Sequence, residues 1–122
     1  MIGIALGWAI AAGMTGLGIG AAVVPKRLSW IYGIPVYDPA SSQWVRAAGF
    51  RDVGLAVILV ATLLWGDDPA AAVTLLATAG IAVTDFAGVV GLRGLKPRGA
   101  LAVHSSGVGG GVLAGALVWM GW

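Results

Sequence analysis

Five ionisable side chains interrupt the apolar stretches of the sequence: Arg46, Arg51, Asp52, Asp85 and His104. A charge at the middle of a bilayer costs roughly 2.5–3.5 kcal/mol even on the lenient insertion scale, so such groups pair, neutralise or face a wet cavity. Two carboxylates and an imidazole held in one low-dielectric layer are the parts of an acid–base catalyst, because neighbours can keep one carboxylate ionised and the other protonated. Arg51 offers a planar fork of donors suited to neutralising one carboxylate. The expected catalytic set is therefore Arg51, Asp52, Asp85 and His104. Asp52 is clamped by Arg51, Asp85 lies against apolar walls as the acid, and His104 relays protons. Arg46, Thr78, Tyr37 and Trp44 are the expected substrate-binding residues, with Thr78 on the helix face of Asp85.

Such groups need elements that bring them together. The chain has 122 residues, 59% hydrophobic and 10% charged, with a mean hydropathy of +0.96. A soluble domain carries about a quarter charged residues, so the surface that would face water is missing. Four apolar runs cover about residues 2–24, 43–65, 70–92 and 99–122, each long enough for a hydrocarbon core that needs roughly 20 helical residues. None alternates polar and apolar, which excludes a closed β-barrel. The expected fold is an all-α integral membrane domain over residues 1–122, a bundle of four transmembrane helices. The first run lacks a basic segment before it and exceeds a signal peptide's apolar region, so a retained helix is expected. Residues 28–42, with two prolines and several aromatics, are expected to form an interfacial or re-entrant segment, a simple surface loop being the alternative.

Charge sets the expected orientation. Lys26, Arg27, Arg46, Arg93, Lys96 and Arg98 flank the first and third connections, and the second carries only Asp67 and Asp68. The positive-inside rule then places both termini on the extracytoplasmic side of a multi-pass protein in the inner (cytoplasmic) membrane. Trp8, Trp65, Trp119, Trp122 and Trp44 fall near helix ends, as interfacial anchors do.

Depth links the elements to the chemistry. At 1.5 Å per residue, Asp52 lies about 13 Å into the second span, Asp85 about 10 Å from the end of the third, and His104 about 8 Å into the fourth. Three antiparallel helices thus deliver ionisable groups to one level. The stripe Gly107, Gly111 and Gly115 marks a packed face of the last helix and turns His104 toward its neighbours. Gly3/Gly7 and Gly16/Gly20 are the corresponding pairs on the first.

In order along the chain stand an Ile-Pro element at Gly33 to Val36 ("GIPV"), a G-x-R-D motif at Gly49 to Asp52 ("GFRD"), the mid-helix Asp85 and then His104. In this the sequence resembles a family of small four-helix membrane proteins from bacteria and fungi, catalogued as a domain of unknown function. The resemblance covers about Ala21 to Gly115. It implies the fold and the shared polar positions, and no settled activity. Fungal members lie among secondary-metabolism genes, which points to work on lipophilic intermediates.

The expected function is acid–base chemistry (isomerisation, cyclisation or ring opening) on a lipophilic small molecule by a cofactor-independent enzyme. The alternative is a non-enzymatic membrane subunit, a lipid or small-molecule binder or a proton-path protein in which the cluster is structural. The expected partners are the bilayer, a lipophilic molecule and a homo-oligomer. A net charge of +2 gives no reason to expect nucleic acid. No metal or cofactor is expected. Haem, through one axial His, is the alternative cofactor, and zinc would have Asp52, Asp85 and His104 as ligands. "GVGGG" at Gly107 to Gly111 lacks the Lys of a phosphate loop, and Ser105 and Ser106 beside His104 make no triad.

Overall fold

The computed structural model describes residues 1–122 and is entirely helical. Helix α1 (Ile2–Val23) is followed by a short α2 (Pro25–Tyr32), then by α3 (Pro39–Trp65), α4 (Asp68–Arg93) and α5 (Arg98–Trp119). The four long helices are each long and apolar enough to cross a membrane, which makes this a multi-pass membrane protein. Only 25 of the 122 residues are buried. The rest present Val, Leu, Ile and Trp outward, a surface that hydrocarbon solvates and water does not.

The helix ends follow from capping. Pro25, which interrupts the hydropathy of the first run, sits in the first turn of α2, where a missing N–H costs nothing. Pro39 does the same for α3. There Asp38 accepts from the Ser41 N–H at 2.7 Å, and the Ser41 hydroxyl accepts from the Asp38 N–H at 3.1 Å. This reciprocal cap starts α3 four residues before the expected position 43, and its bonds hold the Asp38 carboxyl below its ordinary pKa. The 27 residues of α3 span about 40 Å, against a hydrocarbon core of ~30 Å, so its polar first turns stand in the interface. Asp67 caps α4 through the Ala70 N–H at 2.9 Å.

Consequently only residues 33–38 of the expected irregular segment 28–42 lie outside a helix. Leu28, Ile31 and Tyr32 share one face of α2, and Ile31 and Tyr32 cluster with Ala21 and Val45. Gly33 then reverses the chain at φ +69°, and a Cβ there would meet Val89 at 2.7 Å. Its carbonyl accepts from Arg93 at 3.3 Å. Ile34 and Val36 pack onto the same cluster. The "GIPV" element therefore seats α2 across the basic end of the bundle.

In the bundle α1 packs closely on α3, α5 on α4, and α1 on α5, whereas α3 and α4 touch far less. Small residues make the close pairs possible. A Cβ on Gly18 would lie 2.6 Å from the Gly49 carbonyl oxygen, and one on Gly111 would lie 2.9 Å from the Ala79 Cβ. Gly107 and Gly115 also face α4, so the stripe on α5 is a packed face. On α1 the contacts fall at Gly3, Gly7 and Gly18, while Gly16 meets nothing within 4 Å and Gly20 meets only Leu28. Gly18 lies about 200° around the helix from Gly16 and from Gly20, on the opposite side.

Two apolar layers divide the interior. Ala11, Leu59, Ala72, Leu75, Ala114 and Val118 close the end near the Asp67 turn. The α2 cluster, with Val89, Ala100 and Leu101, closes the basic end. The polar groups lie between them.

Candidate functional site

Asp85 of α4 receives the guanidinium of Arg51 of α3 as a two-pronged pair, Nη1 donating to Oδ1 at 2.8 Å and Nη2 to Oδ2 at 2.7 Å. Arg51 also turns back on its sequence neighbour. Its Nη2 and Nε donate to Asp52 Oδ1 at 2.9 and 3.2 Å. The other oxygen of Asp52 accepts from the Tyr32 hydroxyl at 2.8 Å. One cation thus bridges two carboxylates and joins α3 to α4 where the helices otherwise part. The relative exposures of Arg51, Asp52 and Asp85 side chains are 37%, 15% and 24%.

This differs from the expected division of roles. The sequence leads one to expect the fork on Asp52 and a free Asp85 as the acid, yet both Asp85 oxygens accept from Arg51, and each Asp52 oxygen also has a donor. With every oxygen accepting a hydrogen bond, neither carboxylate is left free to serve as the acid. A guanidinium carries five N–H donors. Four are engaged here, and one hydrogen on Nη1 remains free.

His104 is 8% exposed, and its Nε2 is buried without a hydrogen-bond partner. It shares a cavity of about 260 Å³ with Arg51, Asp52 and Asp85. That volume exceeds the ~150 Å³ of an apolar cavity that admits benzene. Ile10, Met14 and Leu17 of α1 form one wall. Leu55, Ile81 and Val103 contribute from α3, α4 and α5. Thr78 also lines it, but its hydroxyl donates to the Thr74 carbonyl at 2.8 Å and so presents lone pairs inward. A second cavity of about 210 Å³ reaches Arg51 and Asp85 from the side of Tyr32 and Gly88, so the ion network is a wall between two spaces.

The expected residues Arg51, Asp52, Asp85, His104 and Thr78 are brought together. Arg46, Tyr37 and Trp44 are not. Arg46 precedes Arg51 by five residues, about 140° around α3, and lines a separate pocket. Tyr37 and Trp44 are 87% and 70% exposed. No group of three or more His, Asp or Glu side chains is placed to hold a metal ion; Arg51 lies between Asp52 and Asp85, two of the three residues of the alternative zinc set.

Tyr32, and not the expected Tyr37, is the tyrosine of the site. The signal was the Leu28–Ile31–Tyr32 spacing, one apolar face of a helix. Burial, then the charge and hydrogen bond of Asp52, raise the Tyr32 phenol above its ordinary pKa. A folded-state pKa above the unfolded value near 10 contributes stability that is fully present below pH ~10 and is lost as the pH rises further. In a Tyr37→Phe background, where Tyr32 is the sole tyrosine, phenolate absorbance should develop only together with unfolding. Its appearance near pH 10 in protein that is still helical would show that Tyr32 is not held by Asp52.

Together the fold and site define a class, the four-span membrane protein with an ion network set beside an intramembrane cavity. Within it, the chain belongs to the family described as Domain of unknown function (DUF4267), whose model matches residues 11–120. Neither the curated proteins nor the solved structures contain a match to it. The matched region includes every cavity residue named above except Ile10.

Proposed function

We propose that the protein binds a lipophilic small molecule in the 260 Å³ cavity and performs acid–base chemistry on it, with His104 as the group that moves the proton. The observation that carries this reading is His104, whose Nε2 has no hydrogen-bond partner and whose ring borders a mainly apolar cavity that also reaches Arg51. An imidazole alternates between donor and acceptor near neutral pH and suits this task better than carboxylates already engaged on every oxygen. The scheme that fits is isomerisation. In a β,γ-unsaturated carbonyl compound, His104 Nε2 takes a proton from the α carbon, the free Nη1 hydrogen of Arg51 stabilises the dienolate oxygen, and the proton returns at the γ carbon as the double bond moves into conjugation. Cyclisation or ring opening uses the same two groups. By the positive-inside rule, the basic end faces the cytoplasm of an inner-membrane protein, both termini lie outside, and the site sits in the inner half of the bilayer.

Membranes carrying the wild-type protein or His104→Gln test this. Lipophilic extracts should show a pair of equal-mass isomers whose ratio shifts with wild type, at a rate falling about 10²–10⁴-fold in the variant, the usual contribution of a general base. The molecule that co-purifies with wild type should still be retained by His104→Gln. Equal isomer ratios in both membranes would remove the catalytic reading. A second reading, a non-enzymatic binder or subunit, is favoured by the place of Arg51 as the main tie between α3 and α4. It requires that His104→Gln change no metabolite.

A further inference from the structure

At the corner where α1 passes into α2 and meets α3, a third pocket, of about 320 Å³, opens on the basic end. Lys26 and Arg27 from α2 and Arg46 from α3 line it together with Ser42. None of the three cations is in a salt bridge, since both salt bridges of the chain belong to Arg51. The Nε of Arg46 is buried without any partner. The Ser42 hydroxyl makes no hydrogen bond within the protein, in contrast to its neighbour Ser41 in the cap. The C-terminus of α1 and the N-terminus of α2 meet at Val24. Their opposed partial charges offset each other, so the positive potential of the pocket comes from the side chains.

Three cations outside any salt bridge, Arg46 among them with its Nε still lacking a partner, and a free hydroxyl form a concave site for a tetrahedral oxyanion. Arg and Lys recognise phosphate through charge-assisted hydrogen bonds, the Arg fork engaging two oxygens. The remaining wall indicates where that phosphate is attached. Val23 and Val24 are exposed at 68% and 38% directly beside the cations, an apolar strip that suits acyl chains and has no use for a free ion. Trp30 and Trp44, both exposed, belong to the same end of the bundle, and indoles settle at the headgroup level. We infer that this pocket is a binding site for the phosphate group of an anionic phospholipid, separate from the His104 cavity and independent of its chemistry. Basic pockets of this kind between membrane helices hold lipid phosphates in general.

The test is native mass spectrometry of the full-length protein after exchange into lipid mixtures of phosphatidic acid or phosphatidylglycerol with phosphatidylcholine. Arg46→Gln is compared with Arg98→Gln, which removes an exposed cation of the same end that does not line the pocket. Wild type should retain one anionic lipid in preference to phosphatidylcholine. Arg46→Gln should lower that retention about tenfold, and Arg98→Gln less than twofold. Adding millimolar inorganic phosphate should leave the retained lipid unchanged. Equal losses in the two variants would reduce the pocket to diffuse surface charge. Displacement of the lipid by inorganic phosphate would make it a free-anion site. Either result overturns the proposal, as does wild type that shows no preference for anionic lipid. A melting temperature of Arg46→Gln within a few degrees of wild type confirms that the loss is one of binding.

Discussion

Replacing Arg51 by methionine should lower the melting temperature of the detergent-solubilised protein by roughly 10–15 °C. Removing one member of a buried ion pair generally costs 3–5 kcal/mol, because the partner is left charged and desolvated. Here Arg51 has two partners. Asp85 loses both of its prongs, and Asp52 keeps only the Tyr32 hydroxyl. Partial exposure of all three groups moderates the penalty, so about 3 kcal/mol is the expected loss. For a chain of this length that corresponds to roughly 3–6 °C per kcal/mol. Arg51→Lys should lose about half as much, since an ammonium is a point charge that can meet one carboxylate closely but lacks the fork that spans both. Adding Asp85→Asn to Arg51→Met should recover part of the loss, because it removes the carboxylate that was left unpaired, and the double-mutant cycle would measure that coupling directly. Thermal unfolding followed by circular dichroism of wild type, Arg51→Met, Arg51→Lys, Asp85→Asn and the double variant provides every value. An Arg51→Met protein melting within about 3 °C of wild type would mean that the network does not hold α3 to α4.

The cooperation of these groups was legible in the sequence as height and illegible as direction. Rise per residue puts Asp52, Asp85 and His104 at one level when the second span is taken to start at position 43. From the actual start of α3 at Pro39, Asp52 lies about 20 Å along the helix, and the three groups still meet in one cavity because the added polar turns of α3 stand in the interface. Rotation about each axis relative to its neighbours cannot be read from one chain. The fork was therefore given to the adjacent Asp52, although it spans to Asp85. Arg46, expected at the substrate, is turned to another pocket by about 140° of helix. Trp44 lies seven residues from Arg51, nearly on its azimuth but about 10 Å closer to the helix start, and Tyr37 precedes the helix altogether. Tyr32 was obscured because Pro25 and the basic pair after it read as a loop. A proline at the first turn of a helix and one that breaks a helix look alike until the apolar spacing after it is examined.

The same limit applies to the glycines, and it singles out Gly18→Ala as the second large effect. The spacing of four on α1 directs attention to Gly16 and Gly20, yet the surface that meets α3 is the opposite one. There Gly18 and Gly49 lie against each other's carbonyl oxygens, each at 2.6 Å from the Cβ the other would carry. The Val53 N–H is 3.1 Å from the same point on Gly18. These are backbone atoms of α3 and cannot rotate aside, so a methyl group must push the helices apart by the better part of an ångström. Overpacking of this kind costs about 1–3 kcal/mol, against which alanine returns up to ~1 kcal/mol of helix propensity. The displacement should also reach the cavity, because Leu17 adjoins Gly18 and Met14 lies one turn before it on the cavity wall. Gly18→Ala should therefore melt several degrees lower and lose most of the binding of the lipophilic ligand proposed for the His104 cavity. Gly16→Ala, with nothing within 4 Å, should melt at or slightly above wild type and keep that ligand. If both variants behave alike, α1 and α3 do not approach backbone to backbone, and the apolar wall that α1 gives to the His104 cavity is not fixed by that contact.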